Sequence, residues 1–537
     1  MLFNSYIFVF AFLPIALCGF HILGLFGRRL PAIWLVLTSV LFYGWWNPQF
    51  VVLLLASVGL NYLASVVINA TERQPTVQTA CLTAAIVADV FVLIYYKYLT
   101  SIIQVAIGMG LIADTTANIV LPLGISFFTF TQIGYLIDTK QGITKDRRLL
   151  NYVLFVTFFP HLIAGPILHN QEIMPQFGEP ATYRFSGENL SVGLSIFVIG
   201  LVKKCLFADT IGTGVSQGFG AADHLPLLAA WNVALCYSLQ LYFDFSGYSD
   251  MAIGLARMFN VRFPLNFNSP YKSASIIEHW QRWHMTLSRY LALYLYNPIA
   301  LAVTRWRANR GLGINRTAQT KPGGFAAMVM FPVVTTMALA GIWHGAGLNF
   351  LAFGLLHGIY LTINHAFRIF RPSSSKTRPS GRLGHGAKIL ITYLATLVAL
   401  VFFRASSVRS ALSLLGGMIG LHGVDALAIP NVILAHLGVP GDALVAKGLV
   451  VDVSLVDFAT STSHLVWMVG LYIVVWCLPN TQQIMRRFTP ALGMIQRGPF
   501  ERFVWQPTRG WAVAIGVAAC IGVLAIGGTS EFLYFQF

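Results

Sequence analysis

The sequence predicts an all-α, polytopic integral membrane protein, and three observations carry that prediction. Hydrophobic residues make up 56% of the 537-residue chain and charged residues only 10%, with a mean hydropathy of +0.69. Apolar stretches of membrane-span size recur along the chain. The basic residues, which give a formal net charge of +16, gather in the short segments between them.

So little polar surface cannot cover a water-soluble globule of this length, so lipid is the main solvent. Ser5–Leu25, Trp34–Trp46, Val51–Ile68, Ala80–Tyr96, Ile389–Phe403, Leu465–Leu478 and Trp511–Ile526 approach or reach the roughly 20 residues a helix needs to cross hydrocarbon. The same length rule gives about 11 spans, with shorter re-entrant or interfacial helices among them. No long stretch has a soluble composition, so one membrane domain over residues 1–537 is expected. The start, MLFNSYIFVF, has no basic region before its apolar run, so the first segment is expected to stay as a span.

The positive charge sits at Arg28-Arg29, Lys145–Arg148, 305–321, 368–388 and 486–509. Short basic loops beside apolar spans follow the positive-inside rule, which places these segments in the cytoplasm and the N-terminus outside. This distribution argues for a lipid bilayer as partner and against nucleic acid. Residues 421–464 form the longest moderately polar stretch and are expected outside. The six cysteines are scattered, without a C-x-x-C pair, so neither a metal knuckle nor a disulfide framework is expected.

Several familiar chemistries are missing. There is no P-loop and no G-x-G-x-x-G. The G-x-S-x-G string at Gly214–Gly218 has no strand before it to make a nucleophile elbow. None of the thirteen histidines has an Asp five positions later. No metal is expected.

Polar interruptions in apolar sequence are costly in lipid and mark functional candidates. The first is LQLYFDFSGYSD, residues 239–250, where Asp244 and Tyr248 share a helix face at i, i+4, so that a phenol can satisfy the carboxylate. A buried Asp tying helices together explains it as well as catalysis does. The second, PLNFNSPYKSASIIEHWQRWHMTLSRYLALYLYNP, residues 264–298, opens extended and then reads as a helix with Trp280, Trp283, His284, Leu287 and Leu291 on one side. Glu278 and Arg282 can pair on another, and such an aromatic stripe suits an interfacial belt. The third is AGIWHGAGLNFLAFGLLHG, residues 340–358. Here Gly341, Gly345 and Gly347 remove bulk around His344, letting a substrate or another backbone come close. His357 lies thirteen residues on, about 20 Å away if the helix is continuous, out of reach of a hydrogen bond to His344. On these residues alone, structure and catalysis both stay open for His344.

YFDFSGYSDMAIGLA, NFNSPYKSASIIEHWQRWHMTLSRYL, GIWHGAG and GLLHG, in this order and spacing, resemble the membrane-bound O-acyltransferase family, most of all the bacterial branch that O-acetylates alginate. The strongest matches run from Tyr242 to Gly358, the motif core being residues 239–358. The resemblance implies a ring of tilted helices around a central tunnel in a bacterial inner membrane. It implies catalytic roles for His344 and His284, with Asp244, Asn266, Asn268, Glu278 and Arg282 in supporting motif positions; Tyr248, Trp280, Trp343 and His357 lie beside them and are taken as supporting too. The donor it implies is acetyl-CoA, as substrate rather than tightly bound cofactor, and the acceptor an exported polysaccharide, reached directly or through a periplasmic acetyltransferase or acetyl carrier. Arg305, Arg307, Arg310 and Arg316 are the candidates for the CoA phosphates, since clustered Arg binds phosphate well. The chain departs from the branch where His279 replaces an aromatic residue, Gln281 an arginine and Ala292-Leu293 an Arg-Asp pair, and the Gly-Gly-Asn-Arg turn is absent; the acceptor is expected to differ there. D-alanyl transfer to an envelope polymer and a proton-relaying transporter or flippase are the competing readings.

Overall fold

Each apolar stretch singled out in the sequence lies on a helix in the computed structural model, which describes residues 1–112, 119–371, 381–423, 462–493, 495, 503–527 and 533. Most of the 421–464 stretch and parts of the 368–388 and 486–509 loops lie outside the described residues. The first helices are α1 (Phe8–Gly24), α2 (Arg29–Gly44), α3 (Gln49–Ala70) and α4 (Pro75–Gly108). The middle of the chain gives α5 (Ile125–Lys140), α6 (Gly187–Ile211) and α7 (Leu227–Met258). The short α8 (Ile276–Trp280), α9 (Met285–Leu291) and α10 (Asn297–Asn309) follow. A hairpin of α11 (Pro322–His344) and α12 (Leu348–Phe370) comes next, and then α13 (Arg382–Arg404), α14 (Thr462–Cys477) and α15 (Arg509–Leu524).

Among the described residues six helices, α3, α4, α6, α11, α12 and α13, are long and apolar enough to cross a membrane, and α14 together with the short helix Thr481–Phe488, bent from it by 49°, makes a seventh if the two are one span. The length rule gave about 11 spans, and the difference has a physical origin. α1, α2 and α15 are apolar but shorter, and the 32-residue α7 has the length but carries Asp244 and Asp250.

α7 is buried along most of its length, whereas α4 turns Val87, Phe91 and Ile102 outward. An apolar exterior around a partly polar interior is the pattern a lipid solvent selects. α6 packs on α7 through glycines: a Cβ on Gly193 would lie 2.5 Å from the Gly254 carbonyl oxygen, and one on Gly200 2.6 Å from that of Gly247. In lipid, where hydrophobic burial does not drive helices together, such close backbone contact supplies the packing. It also brings two lysines of α6 onto two carboxylates of α7: Lys204 meets Asp244 at 2.6 Å and Lys203 meets Asp250 at 2.6 Å. Asp244, for which the sequence offered the Tyr248 phenol, is thus neutralised from another helix, and its second oxygen accepts from the Leu533 amide. Tyr248 stacks on Phe3.

Candidate active site

His344 is the last residue of α11, and the chain turns at Gly345–Gly347 to start α12. The two helices pack so closely that a Cβ on Gly341 would lie 2.4 Å from the Phe350 carbonyl oxygen, and one on Gly354 2.3 Å from that of Met337. The glycine setting of His344 therefore serves backbone approach, and Gly345 makes room for the Phe350 ring. The imidazole is buried, edge-on to Trp343, Phe353 and Phe403.

His284 reaches the same place from a different kind of segment. The single helix expected through Trp280, His284 and Leu291 is broken: α8 ends at Trp280, α9 starts at Met285, and His284 between them sits at φ 42°, ψ 52°. A non-glycine residue in the left-handed region is strained and needs its surroundings to hold it. The neighbouring 264–268 stretch does so: the Asn266 carbonyl accepts from the Met285 amide, and the Asn268 amide donates to the Arg282 carbonyl, both at 2.9 Å. The Asn266 side chain adds more. Its Oδ1 accepts from the Thr286 hydroxyl at 2.9 Å and lies 3.0 Å from His284 Nδ1, while its Nδ2 donates to Ser249. An amide oxygen only accepts, so Nδ1 carries the proton and the lone pair of His284 is on Nε2.

Both histidines line one narrow cavity, walled by Trp280, Trp283, Phe353 and Phe403 among others. A second narrow cavity shares Trp280, Trp283, Phe353 and Leu400 with the first and adds His279, His357 and Thr396. The hairpin supersedes the continuous-helix geometry assumed for His357: it sits behind Phe353, with ring centroids 4.7 Å apart, and accepts from Trp280 Nε1 at 3.2 Å. Trp280 thus faces this interior rather than an interfacial belt. His279, which the sequence marks only as a departure from the motif, stacks on Trp283.

The other candidates fall into three groups. Asn268 accepts from Asn480, and Glu278 pairs with Arg282 at 2.7 Å as its i, i+4 spacing predicts; these hold the loop that bears His284. Asp244 is committed to its ion pair and Tyr248 to packing. Arg307 donates from Nε and Nη2 to the Gly313 carbonyl and Arg310 stacks on Trp306, while Arg305, Arg310 and Arg316 are exposed. Ser216 of the G-x-S-x-G string accepts from Arg404, and Gly214 opens a short helix with no strand before it.

Three lysines escape the sequence reading. Lys203 and Lys204 interrupt FVIGLVKKCLF, and Lys97 interrupts VLIYYKYLTSII; the rule that intramembrane charge marks function points to each of them.

The protein is similar to known enzymes. The profile described as MBOAT, membrane-bound O-acyltransferase family, matches residues 91–311, which includes His284 and stops short of His344. A peptidoglycan O-acetyltransferase of Helicobacter pylori is 34% identical over 100% of this chain and 98% of its own. A probable alginate O-acetylase of Pseudomonas aeruginosa is 36% identical over 76% of this chain and 73% of its own. A teichoic acid D-alanyltransferase of Bacillus subtilis is 28% identical over 51% of this chain and 67% of its own. A helical membrane architecture, a cavity lined by the two motif histidines and similarity over the full length converge on one conclusion: this chain belongs to the membrane-bound O-acyltransferase family.

Proposed function

We propose that the protein transfers an acetyl group from acetyl-CoA to a hydroxyl of a cell-envelope glycan, directly or through a periplasmic acetyl carrier, from the inner membrane of a bacterium with its N-terminus outside. The observation that carries this reading is the single cavity lined by His344 and His284. An acyl transfer from a thioester to a hydroxyl needs a base for the hydroxyl proton, and general-base help is worth about 10² to 10⁴ in rate. His344 takes that proton as the hydroxyl attacks the thioester carbonyl, and returns it to the CoA sulfur as the C–S bond breaks, so that the ester and free CoA are the products. With its proton fixed on Nδ1, His284 is an acceptor at Nε2 and orients the hydroxyl rather than the carbonyl.

The exposed Arg305, Arg310 and Arg316 supply positive charge for the CoA phosphates. The relative that matches along the whole chain acts on peptidoglycan by its name, so we rank a peptidoglycan acceptor ahead of alginate. Family membership displaces the transporter reading. D-alanyl transfer keeps the same chemistry with another acyl group; the teichoic acid enzyme, similar over half of this chain, favours it less.

The test is acetylation by membranes carrying the wild type or His344→Ala at equal abundance. Loss of glycan acetylation and of acetyl-CoA consumption in the variant is expected. Full activity without His344 would reject the assignment, and turnover of a carrier-bound D-alanyl thioester but not of acetyl-CoA would replace the acyl group.

A further inference from the structure

We propose that Lys97 is a positioning residue for acyl transfer: from α4 it clamps the carbonyl end of the helix that carries His344, and with Tyr98 it sets where that imidazole sits in the cavity. The inference rests on His344 being the working residue.

α11 ends abruptly. Gly345 is in extended conformation, and the last turn of any helix leaves carbonyls without partners inside the helix. Two neighbouring residues of α4 donate to carbonyls of that last turn, of which the Ile342 carbonyl also accepts from the Gly345 amide at 3.2 Å. Lys97 Nζ donates to the Trp343 carbonyl oxygen and Tyr98 Oη to the Ile342 carbonyl oxygen. Both acceptors lie within two residues of His344, across more than two hundred residues of sequence. A cation at a helix C-terminus also complements the partial negative charge of the helix end, most strongly where water is scarce. Among the described residues no carboxylate lies within ion-pair distance of Lys97, so its charge is directed at the helix end.

A lysine on a membrane span is costly, and the cost is ordinarily met at a functional place. The alternative is a clamp that only holds the fold, and the ring contacts speak against that narrower role. Lys97 Nζ lies 5.5 Å from the centre of the Trp343 ring. Trp343 stacks on Phe130 at 4.8 Å, and Phe130 stacks on Tyr290 at 4.6 Å. Tyr290 is on α9, whose first turn follows His284 directly. One lysine therefore holds the backbone next to one histidine and abuts a stack that leads to the helix after the other. A displacement of about 1 Å between reacting groups can cost about 10²-fold in rate, so the clamp is expected to show itself in turnover.

The experiment measures kcat and KM for acetyl-CoA on purified full-length protein in lipid nanodiscs, for wild type, Lys97→Met, Lys97→Arg, Tyr98→Phe and His344→Ala. Lys97→Met is expected to lower kcat about 10- to 100-fold with KM within about twofold, because a misplaced base slows chemistry without weakening donor binding. Lys97→Arg, which keeps the charge and the donors, is expected to recover most of the loss. Tyr98→Phe, a milder change that keeps the fold even if Lys97→Met does not, is expected to lower kcat severalfold. Wild-type kcat in both Lys97→Met and Tyr98→Phe would overturn the proposal, and so would a loss that follows the melting temperature and is not recovered by arginine. His344→Ala reads the underlying assignment separately: if it stays active, the role of His344 fails whatever Lys97 does.

Discussion

Trp280 donates its indole N–H to Nδ1 of His357 at 3.2 Å, joining the segment that leads into His284 to the hairpin that carries His344. An indole nitrogen only donates, so this bond fixes the His357 proton on Nε2. Both side chains are buried; Trp280 lines both cavities and His357 the second.

Trp280→Phe keeps an aromatic side chain, though a smaller one, and removes the donor. A buried acceptor left without its partner costs about 1–3 kcal/mol, so the melting temperature of the purified protein is expected to fall. Turnover is expected to fall severalfold as the cavity wall loosens. A variant with unchanged melting temperature and unchanged acetylation would show that this bond holds nothing together.

Asn266 is the anchor of His284. Asn266→Ala removes the acceptor that fixes the Nδ1 proton and the oxygen that Thr286 also uses. A drop in kcat of about 10- to 100-fold is expected, the scale of a mispositioned catalytic group. Ser249→Ala removes only the partner of the Asn266 amide nitrogen, and its kcat should stay within about threefold of wild type, as for loss of one neutral hydrogen bond. Equal kcat for Asn266→Ala and wild type would reject the anchoring role.

The Lys204–Asp244 pair, with both side chains 2% exposed, makes a prediction about stability. Lys204 also pairs with the less buried Asp209 at 2.7 Å, so losing Lys204 strands two carboxylates, at a cost of about 3–5 kcal/mol for the buried one, whereas losing Asp244 leaves Lys204 a partner. Lys204→Met should therefore lower the yield of folded protein in size-exclusion chromatography more than Asp244→Leu does, and the double variant, which strands only the partly exposed Asp209, should recover most of what Lys204→Met loses. An equal loss in Lys204→Met and in the double variant would show that the buried Asp244 charge is not what Lys204 balances.

Periodicity and composition are enough for the membrane class and for the helices on the apolar stretches, because lipid makes the hydrophobic pattern long and unambiguous. The motif strings are enough to put His344 and His284 forward together. What stays hidden are partnerships between distant elements. An i, i+4 search pairs Glu278 with Arg282 correctly, but it offers Asp244 the nearby Tyr248 while the partner is Lys204 on another helix. The break at His284 is hidden too, because Trp280, Trp283, His284 and Leu287 face one cavity whether or not the helix between them is continuous. His357 falls too far away in a continuous helix because the glycines at Gly345–Gly347 suggest room for a substrate, whereas they end a helix.

That turn depends on Gly341, which gives the last prediction. A Cβ there would lie 2.4 Å from the Phe350 carbonyl oxygen, a backbone atom that cannot rotate away, so Gly341→Ala must push α11 and α12 apart. Overpacking of this kind costs about 1–3 kcal/mol, and His344 and Phe353 stand close by on the two helices being separated. Gly323 is the control, since it lies in the first turn of the same α11 and a methyl group there would meet nothing within 4 Å. Replacing that glycine with alanine removes backbone freedom from the unfolded chain without a clash, worth about 0.4–1 kcal/mol in the stabilising direction. Gly341→Ala should therefore lower both melting temperature and acetylation, and Gly323→Ala should lower neither. If both substitutions act alike, close packing of the hairpin is not what places His344.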